Sequence, residues 1–206
     1  MDEKKEIVRK GYDSCVNNYY EIRDSLFDED NFQDFLKELL EEGRILDVGC
    51  GIGEPVTRCL VDQGYNVVGI DISREMLKKA REDIPEADFV HQDMTTLSFT
   101  KDSFIGLTAF YSIIHVPKEE HLSLFKRFND ILKLDGVMLI SLGSSEWEGK
   151  NPDFLGSEMF WSHHSPEKSL GLINESGFEI IENYFVEKYW NDQKEVNYWV
   201  LAKNKK

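Results

Sequence analysis

Arg44-Ile45-Leu46-Asp47-Val48-Gly49-Cys50-Gly51-Ile52-Gly53-Glu54 is the stretch on which the fold turns. Its first five residues form a short apolar run of strand length. Three glycines follow at alternate positions, where the backbone must turn tightly and can approach a ligand closely. Residues 54–63 then read as a helix, with Pro55 in its first turn and Gly64 just past its end. Strand, glycine turn and helix in this order begin an α/β unit. Taken alone, the loop suits many folds and many ligands.

The alternation continues downstream. Val67-Val68-Gly69-Ile70 reads as a second strand and 74–83 as a helix with Ser73 as its N-cap. Asp88-Phe89-Val90-His91 and 104–110 give a third and a fourth strand. Pro117 opens a helix expected to reach about 133, and 137–142 gives a fifth strand. Ser165-Pro166-Glu167 opens a last helix that stops near Gly177. Strands 178–187 and 195–203 then follow with no helix between them, so they pair as a hairpin and one edge is antiparallel. The expected fold class is therefore α/β: a Rossmann-like, mostly parallel sheet of about seven strands, with helices on both faces and an antiparallel C-terminal edge hairpin.

Upstream, residues 2–24 read as helical, with Tyr12 and Tyr19 on one face. Residues 31–42 place Phe32, Phe35, Leu36, Leu39 and Leu40 at helical spacing, with Gly43 as the stop. With no repeat, linker or low-complexity tract, one domain over 1–206 is expected, with 1–42 as an N-terminal helical cap.

The 206 residues are 41% hydrophobic and 31% charged, a globular composition. The net charge of −15 opposes a phosphate backbone, so nucleic acid is not an expected partner. No apolar run reaches the length of a membrane span, and the charged start Met1–Glu6 is unlike a signal peptide, so no membrane partner is expected. Cys15, Cys50 and Cys59 form no metal or disulfide spacing, which suits a reducing, cytoplasmic setting. The sequence assigns no oligomeric state.

The strand ends carry the ligand chemistry. The loop spacing is GxGxG followed by Glu54, unlike the GxGxxG of dinucleotide sites. Asp47 and Glu54 flank it with no Lys or Arg inside, an arrangement that repels a pyrophosphate and suits an ammonium and a sulfonium. Asp71 ends the second strand, where a carboxylate can accept from both ribose hydroxyls. Asp93 ends the third strand, where one can accept from an adenine amino group. Singly, each serves equally well as a strand-end cap; together with the loop they form a far more specific set.

Ile45–Gly53, Val68-Gly69-Ile70-Asp71-Ile72-Ser73, Met76-Leu77, Ala80-Arg81 and Gln92-Asp93-Met94 resemble, in order and spacing, the class I S-adenosylmethionine-dependent methyltransferases. The resemblance implies S-adenosylmethionine as cofactor. It sets Gly49, Cys50, Gly51 and Gly53 against the methionine portion, Asp71 on the ribose, Ile72 and Met94 beside the adenine and Asp93 at its amino group. Tyr12 and Tyr19 match a tyrosine pair that closes over the cofactor, and Phe110 and Tyr111 follow the fourth strand at the pocket edge. Two positions depart from the family pattern: Ile105 stands where an Asp usually follows Phe104, and Glu54-Pro55 continues the loop.

The expected acceptor is a small molecule. The place after the fourth strand reads Phe110-Tyr111-Ser112-Ile113, not the Asn/Asp-Pro-Pro-Tyr of base-nitrogen enzymes, and no cysteine follows a proline. His115 is the candidate general base, beside the plainer reading of a packing histidine. Residues 144–164 are long for a connection and rich in rings. They are expected to form a lid-like insertion whose Trp147, Phe160, Trp161, His163 and His164 face the acceptor. His163-His164 lacks metal spacing, and no metal is expected. Two other readings remain open at this point: a nicotinamide (NAD)-dependent oxidoreductase, and a module that binds S-adenosylmethionine without catalysis.

Overall fold

A computed structural model describes residues 2–22, 29–190 and 193–206. Its main sheet has seven strands: β1 (Arg44–Val48), β2 (Asn66–Asp71), β3 (Asp88–His91), β4 (Phe104–Ala109), β5 (Leu132–Gly143), β8 (Phe178–Trp190) and β9 (Gln193–Asn204). Their order is β3-β2-β1-β4-β5-β9-β8. The first five strands run parallel, while β9 pairs antiparallel with both β5 and β8. The expected fold class holds, including the antiparallel edge.

Period-two alternation sorts the strands' side chains onto two faces. In β5, Met138 and Ile140 join one core with Phe125 and Phe128 of α5 (His121–Ile131) and Leu172 and Ile173 of α6 (Pro166–Glu175). Val137 and Leu139 join the other, with Phe32 and Phe35 of α2 (Glu29–Glu38) and Leu60 of α3 (Val56–Asp62). Ser73 caps α4 (Arg74–Asp83) by accepting from the Met76 N–H, and Ser165 caps α6 by accepting from the Lys168 N–H.

Several boundaries move: α2 ends at Glu38, short of the expected 42, and Pro55 is the N-cap of α3 rather than part of its first turn. Pro117 opens a 3-10 turn at Lys118–Glu120 rather than the α-helix itself, which begins at His121. Leu132 is already extended and starts β5, because its pairing with Phe104 precedes a bulge that resumes at Val137–Gly106.

The segment expected as a lid loop has a different form. Trp147–Phe154 (β6) and Ser157–His163 (β7) make a separate two-stranded antiparallel hairpin. It turns at Leu155 and Gly156, both in the left-handed region. It packs on α1 (Glu3–Ile22), where a Cβ on Gly11 would stand 2.8 Å from the Met159 methyl and 2.9 Å from the Glu158 carbonyl oxygen. No helix among the described residues is long and apolar enough to cross a membrane.

Candidate active site

The strand order reverses between β1 and β4, and open α/β sheets bind ligands at such a switch point, outside the carboxyl ends of the strands. A cavity lies there. Gly49, Gly51, Ile70, Asp71, Ile72, Asp93, Met94, Phe110, Tyr111 and Ser112 come to it from the sheet, and Tyr12 and Tyr19 from α1.

The loop is shaped by what it must avoid. Gly49 has φ of 69°, and a Cβ there would overlap the Ser112 side chain, so glycine is required on both counts. Gly51 has φ of 56°, and its N–H donates to Asp71 Oδ2 at 2.9 Å. Ser73 N–H donates to Asp71 Oδ1 at 2.7 Å. Burial nevertheless pushes the Asp71 carboxyl up to about 6, against the pull of these backbone donors. Asp71 is thus a carboxylate fixed at a strand end within the cavity lining.

Some expected ligand residues stand elsewhere. Asp47 is 2% exposed and does not line the cavity; its carboxylate accepts from Thr57 Oγ1 at 2.6 Å and Thr108 Oγ1 at 2.9 Å. It ties β1 to α3 and β4, and burial raises its pKa to about 6. These contacts engage both of the oxygens expected to face a ligand ammonium. Cys50 and Gly53 also lie off the cavity lining: Cys50 Sγ lies against Gly69, and Gly53 faces Ile84 and Phe89. Burial lifts the Cys50 thiol well above its ordinary value.

Asp93 caps the 3-10 turn at Met94–Thr96 and also borders the cavity. Its Oδ1 accepts from Thr95 N–H and Thr95 Oγ1, each at 2.8 Å, while Oδ2 lies 3.4 Å from Lys5 Nζ.

The far wall holds a polar chain. His115 is 6% exposed, and its Nδ1 lies 2.7 Å from the Phe160 carbonyl oxygen. A carbonyl accepts and never donates, so Nδ1 carries the hydrogen. Nε2 is then the lone-pair nitrogen, and Tyr12 Oη–H donates to it at 2.8 Å. Burial brings the His115 pKa down to about 4 and keeps the ring neutral near pH 7; burial likewise raises that of Tyr12. Trp161 lies against the His115 ring, at 5.4 Å between centroids.

None of the five lid residues lines the cavity. Phe160 is buried beside Val8 and Tyr12, and Trp161 touches His115 and Phe154. Trp147 is 45% exposed and packs near His163. His163 is hydrogen-bonded to the Ser145 carbonyl and His164 to that of Lys118. No group of His, Cys, Asp and Glu among the described residues could hold a metal.

Lys5, Val8, Met76, Gln92 and Val116 also line the cavity and were not foreseen. The signal for two of them was available: Lys5, Val8, Tyr12 and Tyr19 are spaced to share one helix face.

A family model described as a methyltransferase domain matches residues 45–136. The chain is 33% identical over 112 residues to the YqeM protein of Bacillus subtilis, itself an inferred methyltransferase, covering 52% of this chain and 45% of that one. The chain thus spans about half the length of that relative. The 2-methyl-6-phytyl-1,4-hydroquinone methyltransferase of Synechocystis is 29% identical over 143 residues, covering 68% of this chain and 43% of that enzyme. Among solved structures, an S-adenosylmethionine-dependent methyltransferase of Methanosarcina mazei superposes with a TM-score of 0.73 at 21% identity, covering 84% of this chain and 97% of that one. One from Clostridium acetobutylicum gives 0.70 at 19% identity, covering 94% and 100%. At these identities the structural likeness speaks for the fold.

Proposed function

We propose, since this chain belongs to the class I S-adenosylmethionine-dependent methyltransferase family, that it transfers a methyl group to a small-molecule acceptor seated beside Tyr12 and His115. S-adenosylmethionine is the family's cofactor, and the residues present suit it. Asp71 offers its oxygens to a ribose, the backbone at Gly49 and Gly51 lines the cavity, and Ile72 and Met94 supply apolar walls for adenine. When bound, the cofactor supplies an electrophilic methyl group on a sulfonium. It is already activated, so the protein's part is alignment and the exclusion of water.

The observation that carries the reading is the neutral Tyr12–His115 pair in the wall of the same cavity as Asp71 and the glycine loop. Tyr12 Oη, having given its hydrogen to His115, keeps lone pairs for the X–H of an acceptor. An acceptor that must lose its proton passes it to Tyr12 Oη, whose own proton moves to His115 Nε2. The Phe160 carbonyl then holds the imidazolium through Nδ1–H. The aromatic lining of Tyr12, Tyr19, Phe110 and Tyr111 suits a partly apolar acceptor. Relatives that act on hydroquinones and sterols support a small molecule.

Calorimetry with S-adenosylhomocysteine and NAD, followed by a panel of thiols, phenols, amines and carboxylates read by S-adenosylhomocysteine release, tests this. Binding of the adenosyl ligand but not NAD, with release for at least one acceptor, is expected. NAD binding alone would point to an oxidoreductase, and adenosyl binding with no acceptor turned over would point to a binding module.

A further inference from the structure

α1 roofs the cavity, and among its polar contacts two sets tie it to the carboxyl edge of the sheet. At its middle, Asp13 Oδ1 accepts from Ser73 Oγ at 2.7 Å and from Glu75 N–H at 3.4 Å, tying the helix to the start of α4. Nearer its N-terminus, Lys5 reaches down between two walls. Its Nζ donates to Thr95 Oγ1 and to Glu120 Oε2, each at 2.7 Å, and lies 3.4 Å from Asp93 Oδ2. Asp93 and Thr95 belong to the turn after β3; Glu120 belongs to the 3-10 turn before α5. One ammonium therefore joins three elements distant in sequence, and its side chain is only 11% exposed.

The position of this contact gives it a role. Lys5 lines the cavity together with Gln92, Asp93, Met94 and Val116, at the end the resemblance gives to adenine. Thr95 occupies Asp93 Oδ1, leaving Oδ2 to be divided between Lys5 and whatever lies in the cavity. Neighbouring Lys4 faces the opposite way, to Glu148 of the hairpin at 3.0 Å, so the two lysines do different work. Lys5 and Val8 of α1 therefore border the cavity at this end.

We propose that Lys5 is a positioning residue which fastens α1 over the adenine end of the cofactor pocket and so sets how fast the cofactor product leaves. The proposal rests on the reading of the pocket as an S-adenosylmethionine site. It assigns Lys5 no part in the methyl transfer. Glu120 holds the ammonium from outside the cavity lining, so it acts through Lys5 alone.

Two measurements test it. Hydrogen exchange on the free protein reads α1 without any ligand; stopped-flow displacement of S-adenosylhomocysteine reads its release. Lys5→Met is expected to speed exchange over residues 3–12 and to speed release about tenfold to a hundredfold, the range of one or two charge-assisted hydrogen bonds. Lys5→Arg should restore most of both. Glu120→Gln should shift both the same way, and the double variant should release no faster than Lys5→Met, since the two residues act as one contact. Melting curves identify any variant that simply fails to fold, and Lys5→Arg then carries the comparison. Unchanged release and exchange in folded Lys5→Met would overturn the proposal. So would weaker binding in Lys5→Met with α1 exchange unchanged and Glu120→Gln silent, which would make Lys5 a direct ligand contact. If wild-type protein bound no adenosyl ligand, the pocket assignment would fail instead, and the exchange arm would still report whether Lys5 holds α1.

Discussion

Tyr12 Oη and His115 Nε2 are 2.8 Å apart, although 103 residues separate them in the chain, and the Phe160 carbonyl behind the ring fixes which of the two donates. Tyr12→Phe removes the hydroxyl and leaves Nε2 without its donor. Turnover of an acceptor that must lose a proton should fall about 100-fold or more, the usual scale of a lost acid–base group. Affinity for S-adenosylhomocysteine should change far less. Single-turnover rates beside calorimetry on the same preparation check this; equal loss in both would make Tyr12 a cofactor contact and nothing more.

His115 also makes a prediction about acid. Its folded pKa is lowered to about 4 from the ordinary 6.5, so the folded state resists a proton that the unfolded chain accepts. The stability gained from the neutral ring is complete above about 6.5 and is lost as the pH falls towards 4. Asp47 and Asp71, raised to about 6, act in the opposite sense: their contribution is larger in acid and fades as the pH rises from about 4 to 6. Comparing wild type with His115→Gln isolates the histidine. The stability advantage of the wild type should shrink by roughly 3 kcal/mol between pH 6.5 and 4. Urea unfolding at several pH values measures it; a gap independent of pH would show that the ring is hydrated in the folded state.

Asp71→Ala should weaken cofactor binding about tenfold or more, since each charged hydrogen bond to a ribose hydroxyl contributes roughly 1.5–3 kcal/mol. The same change orphans the N–H groups of Gly51 and Ser73, so the melting temperature should drop as well. Asp71→Asn keeps one acceptor oxygen and should fall between on both scales. Full affinity in a folded Asp71→Ala protein would place the ribose elsewhere.

Asp47→Ala should separate the two acids. It strands the hydroxyls of Thr57 and Thr108 in the core, at roughly 1–3 kcal/mol for each buried group left unpaired. Cofactor affinity, measured on the folded fraction, should stay within about threefold of wild type. A loss matching that of Asp71→Ala would mean that Asp47 reaches the ligand.

The comparison of these two acids shows where sequence reading stops. Both lie at the carboxyl end of an apolar strand, and the local pattern turns both towards a ligand. What divides them is Thr57 and Thr108, ten and 61 residues away, which claim both oxygens of Asp47. The parallel core, its antiparallel edge and the Ser73 and Ser165 caps were legible because strand length, helical period and capping are local signals.

The β6–β7 hairpin was hidden for the same kind of reason. β6 carries Gly149 and Pro152 and no β-branched residue, a composition that argues against a strand, and its partner supplies the pairing. Lys5 was hidden among Asp2, Glu3, Lys4 and Glu6, where a charge reads as solvated surface. Only the fold shows that one of these charges points inward.

The packing of α1 on the hairpin also has a meaning in time. Lys4 meets Glu148 and Ser14 meets Ser157, contacts that span 144 and 143 residues. Made on a ribosome at about 5–20 residues per second, α1 waits roughly 7–30 s for those partners to exist. The glycine loop and the strand ends that hold Asp71 and Asp93 are synthesised well before then. A nascent chain therefore holds the sheet-side partners of α1, Ser73, Thr95 and Glu120, before those on the hairpin, and the hairpin side of α1 is the last to be covered.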